Sequence, residues 1–125
     1  MKNKSLKEEI TGVLISLKIQ PTMSGFDYLR EAIKLCLKNK EYFSSMTKDL
    51  YPILASHFHV KTAIVERCIR FSIDKAFQEG GLLSLNQFYN VVVFKNDFCY
   101  SNSEMIAILT EKVKIDLEIK GIDII

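Results

Sequence analysis

Residues 57–79 constrain the fold more than any other stretch of this chain. The run His57-Phe58-His59-Val60-Lys61-Thr62-Ala63-Ile64 ends one short helix, turns, and opens a longer one. Wound at 100° per residue, the longer helix puts Val65, Ile69, Ser72, Ile73 and Ala76 on one side. Ala63, Arg67, Arg70 and Asp74 gather on the opposite side, with Glu66 at the flank. An amphipathic helix with two arginines and a glutamate in its first turns fits a recognition helix lying in a DNA major groove. Arginine bonds guanine O6 and N7 in a bidentate fork, and glutamate accepts from the cytosine N4 amine. A glutamate beside phosphates is otherwise unfavourable, so its place next to Arg67 points to base reading. The other reading is a solvated face with intrahelical ion pairs, because Glu66 and Arg70 stand at i,i+4. On this segment alone both readings stay open.

With 125 residues the chain is expected to form one domain around a single sizeable core. Hydrophobic residues make up 48% and charged residues 26%, the profile of a soluble globular protein rather than a disordered tail. The formal net charge of +2 excludes a polycationic nucleic-acid coat. Any DNA binding must then come from a local patch and specific contacts. Between residues 61 and 75, Lys61, Arg67, Arg70 and Lys75 stand against Glu66 and Asp74, a mild positive bias. Cys36, Cys68 and Cys99 are odd in number and have no close pairing. They are expected to be small buried hydrophobes in a reducing cytoplasm, not a disulfide framework or zinc site. The first residues lead into a charged amphipathic segment without an apolar signal region, and no apolar run approaches membrane-spanning length. A cytoplasmic protein that does not meet the membrane is the expectation.

Leu6, Ile10, Val13, Leu14 and Leu17 recur at helical spacing and predict a first helix over residues 5–18, weakened by Gly12. Gln20 to Gly25 reads as a loop by its turn chemistry. Phe26, Leu29, Ile33, Cys36 and Leu37 mark a second helix that closes near Asn39. A third starts around Met46, but Pro52 is tolerated only in a first turn, so its regular part is expected from Tyr51 to Phe58. Thr62 is the expected N-cap of the fourth helix, which runs to Glu79 before Gly80-Gly81 stops it. Residues 82–88 suggest a short fifth helix. Val91-Val92-Val93-Phe94 is expected to be an extended buried connection, since a lone strand has nothing to pair with. Ser101-Asn102-Ser103-Glu104 is a capping box that opens a last helix with Met105, Leu109 and Val113 on one face. The expected architecture is a compact all-α domain of about six helices containing a helix-turn-helix.

Four segments in order make the pattern more specific: Gly25 to Ile33, Leu50-Tyr51-Pro52, Val65-Glu66-Arg67 with Ile69-Arg70, and Asn102 to Ala107. Together they resemble the C-terminal effector domain of the stage-zero sporulation response regulator of endospore-forming Firmicutes. The resemblance covers roughly residues 8–117. It implies a six-helix DNA-binding fold whose third and fourth helices form the helix-turn-helix. It implies double-stranded DNA as the partner, with a promoter element containing a TGTCGAA-like core, often bound by a head-to-tail homodimer on tandem sites. It further implies contact with RNA polymerase sigma factors. The family's base-contacting Glu-Arg pair falls on Glu66 and Arg67, and its further contacting arginine on Arg70.

The chain also departs from the family. Ala63-Ile64 stand where a Ser-Arg pair is usual, removing a hydroxyl and a cation. Phosphate contacts at the helix start are then expected to rest on Lys61 and Thr62. Phe71 stands where the family is often polar. Cys99-Tyr100-Ser101 replaces a basic Lys-Pro-Thr before the last helix, which puts a backbone contact there in doubt. The segment 119–125 is unusually apolar and suited to packing on a partner. In the family a phospho-acceptor receiver domain precedes this region. Only about ten residues do so here, which fits either an excised domain or a stand-alone relative, with Met1 weighing toward the second.

Other chemistry finds little support in the sequence. His57 and His59 straddle a helix end with no cysteine or carboxylate at ligand spacing, so no metal is expected. No cysteine has a partner base at recognisable spacing, Gly80-Gly81 lacks a phosphate-loop context, and neither an enzyme nor a cofactor is expected. Most aromatics sit at core positions, and Phe88 and Tyr89 offer a possible dimer contact. The alternative to a DNA reader is a protein-interaction module, an antagonist or adaptor that binds the full-length regulator or a sigma factor without reading DNA. Loss of the Ser-Arg pair and the near-neutral charge favour it, while retention of Glu66, Arg67 and Arg70 argues against it.

Overall fold

The computed structural model describes residues 5–89 and 100–123. Within them the chain forms α1 (Leu6–Ser16), α2 (Ser24–Lys38), α3 (Tyr51–Phe58), α4 (Thr62–Gln78), α5 (Ser84–Tyr89) and α6 (Asn102–Lys120). The expected all-α architecture is the one observed. The connection expected over Val91–Phe94, Cys99, and the side chains of Phe88 and Tyr89 lie outside the described residues.

Local chemistry sets the helix ends. Ser5 and Glu8 form a reciprocal capping box at the start of α1, where the Glu8 N–H donates to Ser5 Oγ at 3.2 Å. Ser101 and Glu104 do the same for α6: the Glu104 N–H donates to Ser101 Oγ at 3.3 Å, and the Ser101 N–H to Glu104 Oε1 at 3.0 Å. Between α2 and α3 the chain tightens into a 3₁₀ turn over Lys40–Ser44 and a wide turn over Met46–Leu50. Pro52 then falls in the first turn of α3, where its missing N–H costs nothing. Gly80 follows α4 at φ 74°, in the left-handed region that closes helices.

α2 lies at the centre and packs against α1, α4 and α6. Its Phe26, Leu29, Ala32, Ile33 and Cys36 are buried against Ile10 and Leu14 of α1, Ile69 and Ile73 of α4, and Met105, Leu109 and Val113 of α6 in one apolar core. Where α2 meets α4, Gly25 faces the Cys68 carbonyl and the Ser72 hydroxyl so closely that a Cβ would overlap both. The Ser72 hydroxyl is fully buried yet satisfied, because it donates to the Cys68 carbonyl at 3.0 Å. The bundle is closed at its other end by an ion pair. Lys120 of α6 reaches the buried Glu9 of α1 at 2.8 and 3.0 Å, and this hydrogen bond raises the lysine pKa.

Two expectations need correction. Lys61, not Thr62, is the N-cap of α4. Lys61 keeps extended dihedrals, φ −76° and ψ 149°, while its carbonyl accepts from Ile64 N and Val65 N, so Thr62 is already the first helical residue. Cys36 is buried as expected, with its thiol pushed up to about 11 by burial, but Cys68 is only half-buried on the flank of α4.

Candidate nucleic-acid interface

The turn between α3 and α4 is built by one left-handed residue. His59 caps α3 at φ 56° and ψ 45°, its N–H donating back to Ala55 and Ser56 carbonyls, and the Val60 N–H follows to Ala55 O at 3.0 Å. That conformation disfavours side chains with a branched Cβ, whereas histidine tolerates it. Lys61 then extends the chain, and α4 begins at Thr62. The buried stripe of α4 is Val65, Ile69, Ser72, Ile73 and Ala76, as the 3.6-residue periodicity requires. Its opposite face is therefore turned away from the core.

On that face Glu66 and Arg67 are exposed. Arg70 is half-buried and engaged. Its Nε and Nη2 reach Asp74 Oδ1 at 3.0 and 2.9 Å, and its Nη1 donates to the Tyr100 carbonyl at 2.9 Å. The structure thus brings the three predicted base readers onto one surface but gives Arg70 a different environment from Arg67. Lys61 is exposed and Thr62 half-buried at the start of α4. Among the described residues no side chain caps that helix end and no acidic residue stands in its first turn, so nothing there offsets the positive end of the helix dipole.

Glu66, Arg67 and Arg70 form one wall of a groove of about 590 Å³ whose other wall includes Thr47, Tyr51 and the Ser101–Ser103 start of α6. Burial raises the Tyr51 phenol, opposed by the Asn102 amide and Arg70 and reinforced by Glu66. Asn102 ties the two walls together. Its Nδ2 donates to the Glu66 carbonyl at 3.1 Å, while its buried Oδ1 has no hydrogen-bond partner among the described residues. Sequence reasoning missed this residue's role, placing Asn102 in the capping box and in a segment of the family resemblance without assigning it a contact. The only signal was an asparagine at a helix start that the Ser-x-x-Glu pair already capped.

His57 is exposed and packs edge-on against Phe58, ring centroids 4.7 Å apart. Among the described residues no cluster of three or more histidine, cysteine or carboxylate side chains is placed to hold a metal ion.

A family model described as the sporulation initiation factor Spo0A C terminal matches residues 10–113. The chain belongs to that family. The match runs from α1 into α6 and includes every residue named at this interface. The Spo0A C-terminal family is a DNA-binding, transcription-regulating family of sporulation, and not an enzyme family. Among the described residues no helix of this Spo0A-family chain is long and apolar enough to cross a membrane.

Proposed function

We propose that the chain is a single effector domain that regulates transcription in the cytoplasm by laying α4 into the major groove of a TGTCGAA-like box. The observation that carries this reading is the exposure of Glu66 and Arg67 side by side on the outward face of the second helix of a helix-turn-helix. Arg67 reads a guanine and Glu66 an adjacent cytosine. Arg70 reads a second guanine once it exchanges Asp74 for the base. Lys61 and Thr62, at the outward-facing start of α4, hold a phosphate. Binding as a homodimer on tandem boxes and contact with a sigma factor belong to the same reading, with the exposed Ile119 near the end of α6 as an apolar point of contact.

Single-site variants separate these roles. Arg67→Ala is expected to lose about 1–3 kcal/mol of binding to the box and to relax discrimination at one base pair. Lys61→Ala is expected to weaken all DNA about equally and to lower the salt slope by roughly one. Equal losses by Arg67→Ala on box and random DNA would contradict base reading. A stable complex with the full-length regulator or a sigma factor, formed without any binding to DNA, would instead support the adaptor reading.

A further inference from the structure

Phe71 is 61% exposed, although the core of α4 is complete without it. An aromatic ring left in water forgoes stabilisation that burial would supply, so its position calls for a reason. The ring stands four residues after Arg67 and therefore on the same face of α4, one turn further along. Recognition helices present base-contacting side chains at this kind of spacing, on successive turns of one face. Arg70 lies on the opposite side of Arg67 in angle and is bonded to Asp74 and the Tyr100 carbonyl. Arg67 is thus flanked by an apolar ring on one side and by the Arg70–Asp74 ion pair on the other.

Of the features that base pairs show in the major groove, only one suits such a ring. The C5-methyl of thymine is apolar, while the remaining edges are hydrogen-bond donors and acceptors. We infer that Phe71 is a specificity-determining residue of this chain, packing on the methyl group of a thymine one helical turn along from the base that Arg67 reads. One turn advances about 5.4 Å, so the thymine lies within about two base pairs of that guanine. The inference rests on α4 reading DNA as proposed above. It adds a hydrophobic contact to the polar ones, at a position the arginines do not cover.

The test uses the full chain and duplexes carrying the TGTCGAA-like box, with each thymine in turn replaced by deoxyuracil, which removes the methyl and nothing else. Wild type should lose about fourfold in affinity at one thymine and little at the others. Phe71→Ala should bind the unmodified box about fourfold or more weakly and become indifferent to that methyl. Phe71→Leu, which keeps an apolar tip, should retain part of the sensitivity. Both variants should melt like wild type, since the ring is not in the core. Identical deoxyuracil profiles for wild type and Phe71→Ala would overturn the inference, as would a loss spread equally over box and scrambled DNA. Box binding that still depends on Arg67 but ignores both Phe71 and the methyls would sink this inference alone. Absence of any preference for the box in wild type would sink the reading of α4 with it.

Discussion

Arg67 and Arg70 carry the same guanidinium into different surroundings, and the difference governs what each can do. Arg67 is exposed, and its fork is presented to solvent. Arg70 spends three nitrogens on Asp74 and on a carbonyl thirty residues away in sequence. A part-exposed i,i+4 pair of this kind contributes little to stability, about 0.3–0.5 kcal/mol. Its larger consequence is to keep a carboxylate and a committed arginine on the surface proposed to face DNA. Asp74→Asn is therefore expected to leave the melting temperature nearly unchanged while tightening DNA binding severalfold at low salt. The gain should shrink as salt rises, because it is partly a phosphate-charge effect. Titrations of both proteins at two ionic strengths check this, and weaker binding by Asp74→Asn would show that the pair positions Arg70 rather than restrains it. The sequence made both arginines legible as one face, since periodicity orders residues within a helix. It left the Tyr100 contact illegible, since nothing local marks a side chain that will reach another segment. Asn102 escaped for the same reason.

At the scale of elements, the approach of α2 to α4 fixes where the outward face of α4 points. Gly25 permits that approach, because the Cys68 carbonyl opposite it is helix backbone and cannot step aside. Gly25→Ala should destabilise the fold by about 1–3 kcal/mol, as overpacking does, read as a lower denaturant midpoint at unchanged slope. A neutral result would mean that the two helices separate freely and do not position the interface. The start of α6, which forms the other wall of the groove, is held by its capping box. The Ser101 hydroxyl, and then the Ser101 backbone N–H, hold the Glu104 carboxyl below its ordinary range. A lowered folded pKa stabilises above the unfolded value, about 4.3 for glutamate, and the contribution is lost as pH falls through the lower folded value. Acid titration should therefore fray the start of α6, and Glu104→Gln should flatten that part of the profile. Chemical shifts of Ser101 to Glu104 followed from pH 6 to 3 report it directly, and shifts that do not move would contradict the role of the box. Six helices and the capping box of α6 follow from local rules of spacing and capping, so they were readable in sequence. The tight turns over Lys40–Leu50 and the one-residue offset from Thr62 to Lys61 are decided by tertiary packing and backbone geometry, so they were not.

The whole chain is nearly neutral, +2 over 125 residues, and its described residues form a helical bundle. It cannot hold DNA by bulk charge, so the proposed reading concentrates its affinity in specific contacts at α4 and around the groove. The family match supports DNA binding, and the exposed face of α4 is where the proposed reading puts the contacts. The direct measurement is a titration of the protein, at two salt concentrations, onto a labelled duplex carrying the TGTCGAA-like box and onto a scrambled duplex of the same composition. Base reading by Glu66 and Arg67 predicts that the box is preferred, and that the preference persists as salt rises while both affinities fall. Weak, salt-sensitive binding that is equal on the two duplexes, or no binding to either, would contradict it.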